Sequence, residues 1–302
     1  MAAPFISIVI PVLNRASIVG RTLDSVSAQT FGDYELIVVD NGSTDGTADA
    51  VRSWHSVHPT VNLTLLTESE RGAARARNRG LDAAQGEWTM FFDSDDTMRP
   101  DLLEAVKKAS READVVAWDV IIHQLDGSVI RQCSYLRNAL FHTIFHGKFS
   151  TQRYAAATRL FRSVGGWNAV LRGWDDAELG VRLLLQKPLI RHLRDVEVDV
   201  YAQSVSITGV SHSSDTAKWE DALSAMRNTL SEASEQKAVH WIDLRRAILA
   251  GQYAREGAEI ESDRLLAATL KIVDCRRWIY RWASRLTASG CRGAARLFGW
   301  LC

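Results

Sequence analysis

The chain has 302 residues, and its 36 lysines and arginines balance its 36 aspartates and glutamates, so the formal net charge is zero. Its length allows one large domain or one domain with an appendage, and its 46% hydrophobic and 24% charged residues are ordinary for a soluble globular protein. The balanced charge creates no overall field that would favour nucleic acid as a partner.

Strands and helices alternate over the first 92 residues. The pattern predicts strands at 5–12, 34–39, 61–66 and 88–92, and helices at 17–30, 47–54 and 73–84. Ser17 is expected to cap the first helix, and Gly86 to end the third. Four repeats of strand and helix predict a parallel, doubly wound sheet with right-handed crossovers.

Asp40 ends the second predicted strand and is followed by the turn 41–46. Its carboxylate can accept hydrogen bonds from a nucleotide base or from ribose hydroxyls. Alternatively, the polar side chains here shape the turn, with Ser43 or Thr44 capping the next helix.

Small and basic residues open the helix that precedes the fourth strand, in the segment 71–80. Small residues let the backbone approach a ligand, and a helix start favours phosphate. Arg71 and Arg77 are therefore candidates to contact a diphosphate or to hold the acidic segment that follows, whereas Arg75 and Arg79 are expected to face solvent.

Three carboxylates, Asp93, Asp95 and Asp96, follow the apolar run 88–92. Acidic groups at the end of a buried strand are costly unless their charge is offset, and oxygen ligands suit Mg²⁺ or Mn²⁺. The carboxyl ends of strands are also where open α/β sheets bind ligands. We therefore expect a metal and an anionic partner here, although Asp96 can instead cap the next helix.

After Pro100 the pattern predicts a helix at 101–110, a hairpin of 114–123 with 128–134 around Asp126-Gly127, a helix at 176–186 and a strand at 192–201. Trp174, Asp175 and Asp176 stand at the start of that second helix, where acids are often only dipole partners. One of them could act as a base if it were buried beside a hydroxyl. His212 belongs to a polar loop that either reaches a ligand or faces solvent.

Only helices are predicted from residue 216 onward, and the tail 264–302 is basic and rich in aromatic residues. Arginines interleaved with tryptophans suit the headgroup layer of an anionic membrane. The alternative is a helix that packs its aromatic side chains on the main domain and leaves its arginines in solvent.

No zinc site, disulfide framework or membrane-spanning helix is expected. The four cysteines, Cys133, Cys275, Cys291 and Cys302, include no C-x-x-C pair. The start of the chain lacks a signal peptide pattern, and no run of about 20 apolar residues occurs. We expect a cytoplasmic protein that can be peripheral at the inner face of the membrane.

Five segments together make the chain resemble a family 2 glycosyltransferase with the GT-A fold, over about residues 5–212. They are 7–14 (SIVIPVLN), 37–45 (IVVDNGSTD), 76–80 (ARNRG), 93–96 (DSDD), and 164–167 (VGGW) with 173–176 (GWDD). Asp175 stands where the family usually has glutamate, and Leu13 where a tyrosine is common.

The resemblance implies an α/β, Rossmann-like GT-A fold, a mixed and mainly parallel sheet flanked by helices with a C-terminal helical appendage. It implies a GT-A domain at 1–212, with a nucleotide-binding half at 1–100 and an acceptor-binding half at 101–212, followed by a helical region at 213–302. Domain 213–302 itself lies outside the resemblance and is the candidate for contact with a membrane or a partner.

The resemblance also implies an inverting, metal-dependent hexosyltransferase that moves a sugar from a nucleotide-diphosphate sugar, by default a UDP-sugar, to a glycan or lipid-linked acceptor in polysaccharide biosynthesis of the cell envelope. Asp40 would contact the base, Asp93 the ribose, Asp95 the Mg²⁺ or Mn²⁺, and Asp176 would be the catalytic base. The remaining expected site residues are Pro11, Asn14, Arg71, Arg77 and Ser94 for the donor, His212 for the metal, and Trp174 and Asp175 for the acceptor.

Two other functions use similar parts. A sugar-phosphate nucleotidyltransferase needs a glycine-rich basic loop after the first strand, and residues 11–15 contain no glycine. A non-catalytic scaffold docked to a membrane has no need of Asp40, Asp93, Asp95 and Asp176 together. A glycoside hydrolase pairs carboxylates but needs no nucleotide pocket.

Overall fold

The computed structural model describes residues 3–133, 138–202, 211–273, 276–291 and 293–299. Nine strands within these residues form one mixed sheet in the order β3-β2-β1-β4-β8-β6-β9-β5, with β7 paired to β6. The strands are β1 (Ile6–Val12), β2 (Tyr34–Asp40), β3 (Leu63–Thr67), β4 (Trp88–Phe91), β5 (Thr97–Met98), β6 (Val115–His123), β7 (Val129–Gln132), β8 (Tyr154–Ala157) and β9 (Ile190–Tyr201).

Twelve α-helices accompany these strands in the described part of the chain. They are α1 (Val19–Ser27), α2 (Thr47–Val57), α3 (Ala73–Ala83), α4 (Leu102–Ala109), α5 (Ala139–His146), α6 (Thr158–Ser163), α7 (Asp175–Leu185), α8 (Thr216–Glu232), α9 (Gln236–Arg255), α10 (Glu259–Ile272), α11 (Arg277–Ala288) and α12 (Ala294–Phe298). None of these helices combines the length and apolar character needed to cross a membrane.

The chain forms two compact units. The first comprises Met1–Ala139, Lys148–Val170 and Leu183–Ser204, and the second comprises Leu140–Gly147, Leu171–Arg182 and Val205–Cys302. The second unit thus includes Leu140–Gly147, Leu171–Arg182 and the beginning of its last segment from the range 1–212 predicted for the first domain, and Leu171–Arg182 holds the start of α7.

The parallel half of the sheet is confirmed in the first unit. Strand β1 pairs in parallel with β2 and with β4, and β2 pairs in parallel with β3. Ile6, Ile8, Val9 and Ile10 are completely buried because β1 is covered on both faces. Helix α3 packs so closely on β1 that a Cβ at Gly80 would lie 2.2 Å from a methyl carbon of Val9.

The other half of the sheet is mixed. Strand β8 runs antiparallel to β4 and to β6, β9 runs parallel to β6, and β5 runs antiparallel to β9. The predicted hairpin is confirmed as β6 and β7, although residue 134 lies outside the described residues. Strands β5 and β8 were not predicted, because one has two residues and the other reads Tyr-Ala-Ala-Ala, without β-branched side chains.

The predicted helix ends need two corrections. Ser17 does not cap α1, which begins at Val19 after Ile18 with no side-chain hydrogen bond at its N-cap. Gly86 does not end α3 either, because the helix stops at Ala83 and the backbone of Ala84 is already extended. A Cβ at Gly86 would lie 2.6 Å from the backbone nitrogen of Ser7, so this glycine permits a close approach to β1.

The helices of the second unit pack on α9. Its apolar residues are buried along its length, including Trp241, Ile242 and Leu249. Asp215 caps α8 by accepting a hydrogen bond from the backbone nitrogen of Lys218 at 3.3 Å. Glycine is required where α9 meets α11, since a Cβ at Gly251 would lie 2.2 Å from the carbonyl oxygen of Ser284.

Candidate active site

The acidic segment follows β4 directly, and its first carboxylate is firmly held. Arg77 Nη2 donates a hydrogen bond to Asp93 Oδ1 at 2.9 Å, and the side-chain amide of Gln152 donates to Asp93 Oδ2. The guanidinium of the buried Arg77 also lies 4.5 Å from the centre of the Trp167 ring. Helix α3 therefore places Arg77 against the acidic segment. This position agrees with the second role considered for Arg77, which is to hold that segment.

Asp95 is the carboxylate that the protein leaves available. Its side chain is 16% exposed, and it accepts no hydrogen bond from another described residue, while Arg15 Nη2 lies 3.9 Å away. Burial, and then the charge of Asp93, raise the pKa of the Asp95 carboxyl. A partly buried oxygen donor with so little compensation fits a ligand to a divalent cation.

Asp96 connects the segment to the rest of the first unit and caps no helix. Its Oδ1 accepts a hydrogen bond from the backbone nitrogen of Tyr201 at 3.0 Å, and its carbonyl accepts one from Thr22 Oγ1 at 2.8 Å. Burial, followed by the charge of Asp93, raises the pKa of Asp96 to about 8. The capping alternative is wrong because α4 begins only at Leu102. Ser94, which stands between Asp93 and Asp95, is buried.

The loops after β1 and β2 are joined by hydrogen bonds. Asn14 has a left-handed backbone with φ of 53°, its backbone nitrogen donates to Ser43 Oγ at 3.0 Å, and its Oδ1 accepts from the backbone nitrogen of Thr44 at 2.9 Å. Asp40 Oδ1 accepts from the backbone nitrogen of Ser43 at 3.0 Å. Pro11 lies in β1 opposite Val39. Asp40 therefore helps to shape the turn, which leaves its other oxygen for a ligand.

The side chain that accepts the first backbone N–H of α2 is that of Asp45, not of Ser43 or Thr44 as predicted. Its carboxylate accepts hydrogen bonds at 3.0 Å from the backbone nitrogens of Thr47 and Ala16, and a third from the Thr47 hydroxyl. Left-handed Gly46 stands at the N-cap itself. Aspartate is favoured in such turns because its carboxylate bonds the backbone two residues on.

The start of α3 is fixed by Asn41. The Oδ1 of this buried residue accepts from the backbone nitrogen of Gly72 at 2.7 Å, and its Nδ2 donates to the carbonyls of Glu68 and Glu70. Arg71 is exposed and makes no ion pair with a described residue. Arg71 is therefore available for a ligand, while Arg75 pairs with Glu70 at 2.7 Å.

Two residues beside the acidic segment were not predicted from the sequence. Arg15 lies near the Asp95 carboxylate, and Arg21 donates to the Asp95 carbonyl while its guanidinium lies 3.9 Å from the centre of the Tyr201 ring. No pattern marks either arginine in the sequence, since Arg15 reaches Asp95 from the loop after β1 and Arg21 reaches it from α1.

Trp174, Asp175 and Asp176 belong to the second unit. The prediction that α7 starts here is confirmed, and both aspartates are half-buried in its first turn. Asp176 Oδ1 accepts a hydrogen bond from the backbone nitrogen of Ala177 at 2.7 Å. Trp174 has a left-handed φ of 48°, and its carbonyl accepts the backbone nitrogen of Glu178 at 3.0 Å.

His212 also lies in the second unit, in a short 3-10 helix at His212–Asp215. Its Nδ1 lies 3.3 Å from Glu256 Oε1, and its ring centre lies 6.3 Å from that of Trp174. Burial lowers the pKa of His212, and the contact with Glu256 opposes this effect. The structure therefore brings His212 to Trp174, and its role at a metal stays a prediction.

A separate group of possible metal ligands lies on β6, β7 and β9. Asp119, Cys133 and His192 have ligand atoms within 4.8 Å of one another. Cysteine spacing could not indicate this group, because its members come from separate parts of the chain. Arg131 Nη2 lies 3.3 Å from Asp119 Oδ2, and a guanidinium on the same carboxylate disfavours a bound cation.

Comparison of the sequence with known proteins identifies relatives. The family described as Glycosyl transferase family 2 matches residues 7–175. The PGL/p-HBAD biosynthesis glycosyltransferase of Mycobacterium tuberculosis (strain ATCC 25177 / H37Ra) is 31% identical over 210 residues, which cover 67% of this chain and 78% of that protein.

Solved structures share the fold. S. aureus TarS 1–349 in complex with UDP-GlcNAc superposes with a TM-score of 0.69 at 18% identity, covering 97% of this chain and 91% of that one. A longer TarS chain is spanned over about half its length, 54%. The mannosyltransferase PcManGT from Pyrobaculum calidifontis, in complex with GDP-Man and Mn²⁺, gives a TM-score of 0.60 at 21% identity over 99% and 88% of the two chains.

Proposed function

The chain belongs to glycosyl transferase family 2, and on that premise we propose that it transfers a sugar, with inversion, from a UDP-sugar to a hydroxyl of a glycan or lipid-linked acceptor. The observation that carries this proposal is the contrast between two carboxylates of the acidic segment. The Asp93 carboxylate is held by Arg77 and Gln152, whereas the Asp95 carboxylate accepts no hydrogen bond from another described residue.

The donor is proposed to bind along the carboxyl ends of β1, β2 and β4. Asp40 would accept hydrogen bonds from the base, and Asn14 and Pro11 would border it. Asp93 and Ser94 would face the ribose. Arg71 would contact the diphosphate, because it is exposed at the start of α3 and makes no ion pair with a described residue. Arg77 would act indirectly, by holding the Asp93 carboxylate in position.

Asp95 would hold Mg²⁺ or Mn²⁺, because its partly buried carboxylate accepts no hydrogen bond from another described residue and, of these residues, pairs only with Arg15, at 3.9 Å. A bound divalent cation supplies Lewis acid stabilisation of the charge that develops on the leaving diphosphate. The solved mannosyltransferase complex with Mn²⁺ supports a divalent cation in this fold. Arg15, at 3.9 Å from Asp95, would orient this carboxylate and lower the cost of its charge.

Asp176 is proposed as the catalytic base. It would take the proton from the acceptor hydroxyl as this oxygen attacks the anomeric carbon from the face opposite the leaving group. Asp175 and Trp174 would contact the acceptor beside it. The first turn of α7 suits this role because it holds both carboxylates half-buried instead of fully in solvent.

Envelope glycans or glycolipids are the acceptors that the relatives favour. The mycobacterial relative is named for PGL/p-HBAD biosynthesis, and TarS was solved with UDP-GlcNAc. UDP is therefore proposed over GDP, although the archaeal mannosyltransferase was solved with GDP-Man.

Helix α11 supports contact with an anionic membrane. Trp278 is 54% exposed and Trp282 is 51% exposed, so about half of each residue's surface is open to solvent. Arg281 and Arg285 are exposed beside them, and α11 contains no acidic residue. Exposed tryptophans with arginines on one helix are typical of interfacial binding. Arg292 and Trp300 of the predicted tail lie outside the described residues.

A panel of nucleotide sugars, incubated with Mn²⁺ or with EDTA, tests the proposed activity. Release of the nucleoside diphosphate from one donor only with the metal is expected. A sugar-phosphate nucleotidyltransferase would instead release pyrophosphate from a nucleoside triphosphate and a sugar phosphate, and that result would contradict the proposal.

A further inference from the structure

Arg245, on α9 in the second unit, carries a charge that the protein does not offset. Its Nε is buried without a hydrogen-bond partner, and the residue makes no ion pair with a described residue. Burial alone lowers the pKa of its guanidinium to about 10. Since desolvated charges without a partner are costly, such an arginine is expected where a ligand supplies the counter-charge.

A second donor without an acceptor lies in the same cluster. Trp219 is buried, and its Nε1 has no hydrogen-bond partner among the described residues. The Arg245 guanidinium lies 4.6 Å from the centre of the Trp174 ring, and the centres of the Trp174 and Trp219 rings lie 4.9 Å apart. Lys218 Nζ lies 4.5 Å from the centre of the Trp219 ring, which adds a second cation.

Two acidic side chains of this region, Glu256 and Asp215, are already engaged. Glu256 accepts hydrogen bonds from the backbone nitrogens of His212 and Ser213, at 3.1 and 2.8 Å, and Asp215 pairs with Arg172 at 2.9 Å. Neither acid forms an ion pair with Arg245. The cluster around Trp174 therefore has positive charge and hydrogen-bond donors to offer.

We propose that Arg245 binds an anionic group of the acceptor, a phosphate or a carboxylate, with Trp174 and Trp219 forming the adjoining surface. This inference rests on the proposed function, which places the acceptor hydroxyl at Asp176. Trp174 stands two residues before Asp176 and has a left-handed backbone, a conformation that costs a non-glycine residue energy and occurs mainly at functional sites. An anion on Arg245 would thus be held beside the start of α7.

Replacement of Arg245 separates a ligand role from a role in folding. Arg245→Met removes the charge and keeps the aliphatic length, and Arg111→Met, at an exposed position in the first unit, is the matched control. Without ligand, the Arg245→Met protein is expected to unfold at the same or a higher temperature than the wild type, because an uncompensated charge has been removed. A lower unfolding temperature would identify a structural guanidinium and overturn the proposal.

Binding is measured by calorimetry with glycerol phosphate, glucuronate and, as a neutral comparison, glucose. Arg245→Met is expected to weaken the binding of at least one of the two anions tenfold or more, while Arg111→Met binds both as the wild type does. Equal binding by both variants would overturn the proposal. A loss of UDP binding in Arg245→Met as large as its loss of anion binding would also overturn the proposal, because Arg245 would then bind the diphosphate of the donor.

The two proposals fail separately. Mn²⁺-dependent UDP binding by the wild-type protein is measured beside the anion titrations. Its absence would contradict the proposed function, whereas binding of glycerol phosphate or glucuronate that depends on Arg245 would still establish the anion site.

Discussion

Arg77 donates a hydrogen bond to Asp93 at 2.9 Å, and this contact separates the roles of two carboxylates that stand two residues apart. Asp93 uses one oxygen for Arg77 and the other for Gln152, so its position is fixed by α3 and by the loop before β8. Asp95 has no comparable partner among the described residues. The acidic segment therefore presents one anchored and one available carboxylate.

Asp176→Asn is expected to abolish sugar transfer while leaving UDP binding unchanged, because the amide cannot accept the proton of the acceptor hydroxyl. Transfer and UDP affinity are measured on the same preparation. Asp175→Asn is the neighbouring control and should retain part of the transfer rate, since only Asp176 is assigned as base. Normal turnover by Asp176→Asn would remove this residue from the base role.

Two glycine replacements test the packing inside helices. Gly251→Ala should lower the free energy of unfolding by about 1–3 kcal/mol, because its Cβ would collide with the carbonyl oxygen of Ser284 at 2.2 Å. Gly20→Ala, in α1, has open space around its Cβ and should raise stability by up to about 1 kcal/mol. Denaturant unfolding of both variants measures these effects, and equal changes would contradict the packing described.

Glu256→Gln should reduce stability in a pH-dependent way. Burial opposes ionisation, but hydrogen bonds from Ser211, Ser213 and His212 prevail and lower the pKa of Glu256 from 4.5 to about 2. A carboxyl whose pKa is lower in the folded than in the unfolded state stabilises the protein at pH values above its unfolded-state pKa. This stabilisation is lost as the pH falls to the folded-state pKa. At pH 7 the loss should be about 1–3 kcal/mol.

The difference between wild type and Glu256→Gln should shrink as the pH falls from about 4.5 to about 2. Thermal unfolding across this window measures it, with Glu232→Gln at an exposed position as the control. A difference that stays constant with pH would show that the charge of Glu256 is not what stabilises the loop at 211–213.

Trp278→Ala with Trp282→Ala should weaken binding to phosphatidylglycerol vesicles at least tenfold, because both indoles would lie in the headgroup layer. Vesicles of phosphatidylcholine should bind the wild type poorly, and salt should weaken binding to the anionic vesicles. Ile260→Ala is the control, since Ile260 is 81% exposed on α10 between two glutamates. Unchanged vesicle binding in the double variant would exclude this face of α11.

The parallel half of the fold could be predicted because each of its strands is a long apolar run bounded by turn residues. The acidic segment at the end of β4 was found for the same reason, since charge after a buried strand is conspicuous in sequence. Helix starts were harder. Ser17, Ser43 and Thr44 are all good capping residues. However, the first backbone nitrogen of α2 donates to Asp45, and α1 has no side-chain cap. Tertiary contacts decide which loop residue reaches the free backbone nitrogens.

Residues that act through distant contacts could not be predicted. Gln152 reaches Asp93 from 59 positions away, and Trp167 packs on Arg77 from a separate loop. The uncompensated charge of Arg245 is equally invisible in sequence, because an arginine on a helix usually finds solvent or an acid. Only the packing of α9 shows that this one is partly buried and pairs with no acid among the described residues.

The most direct test of the proposed donor site is a calorimetric titration of UDP in Mn²⁺ and in EDTA, on the wild type, on Asp95→Ala and on Asp101→Ala. Asp101 is the control because its side chain is 52% exposed at the start of α4. Mn²⁺ should strengthen UDP binding at least tenfold in the wild type and in Asp101→Ala, and should have no effect in Asp95→Ala. Equal Mn²⁺ dependence in Asp95→Ala, or none in the wild type, would contradict the account.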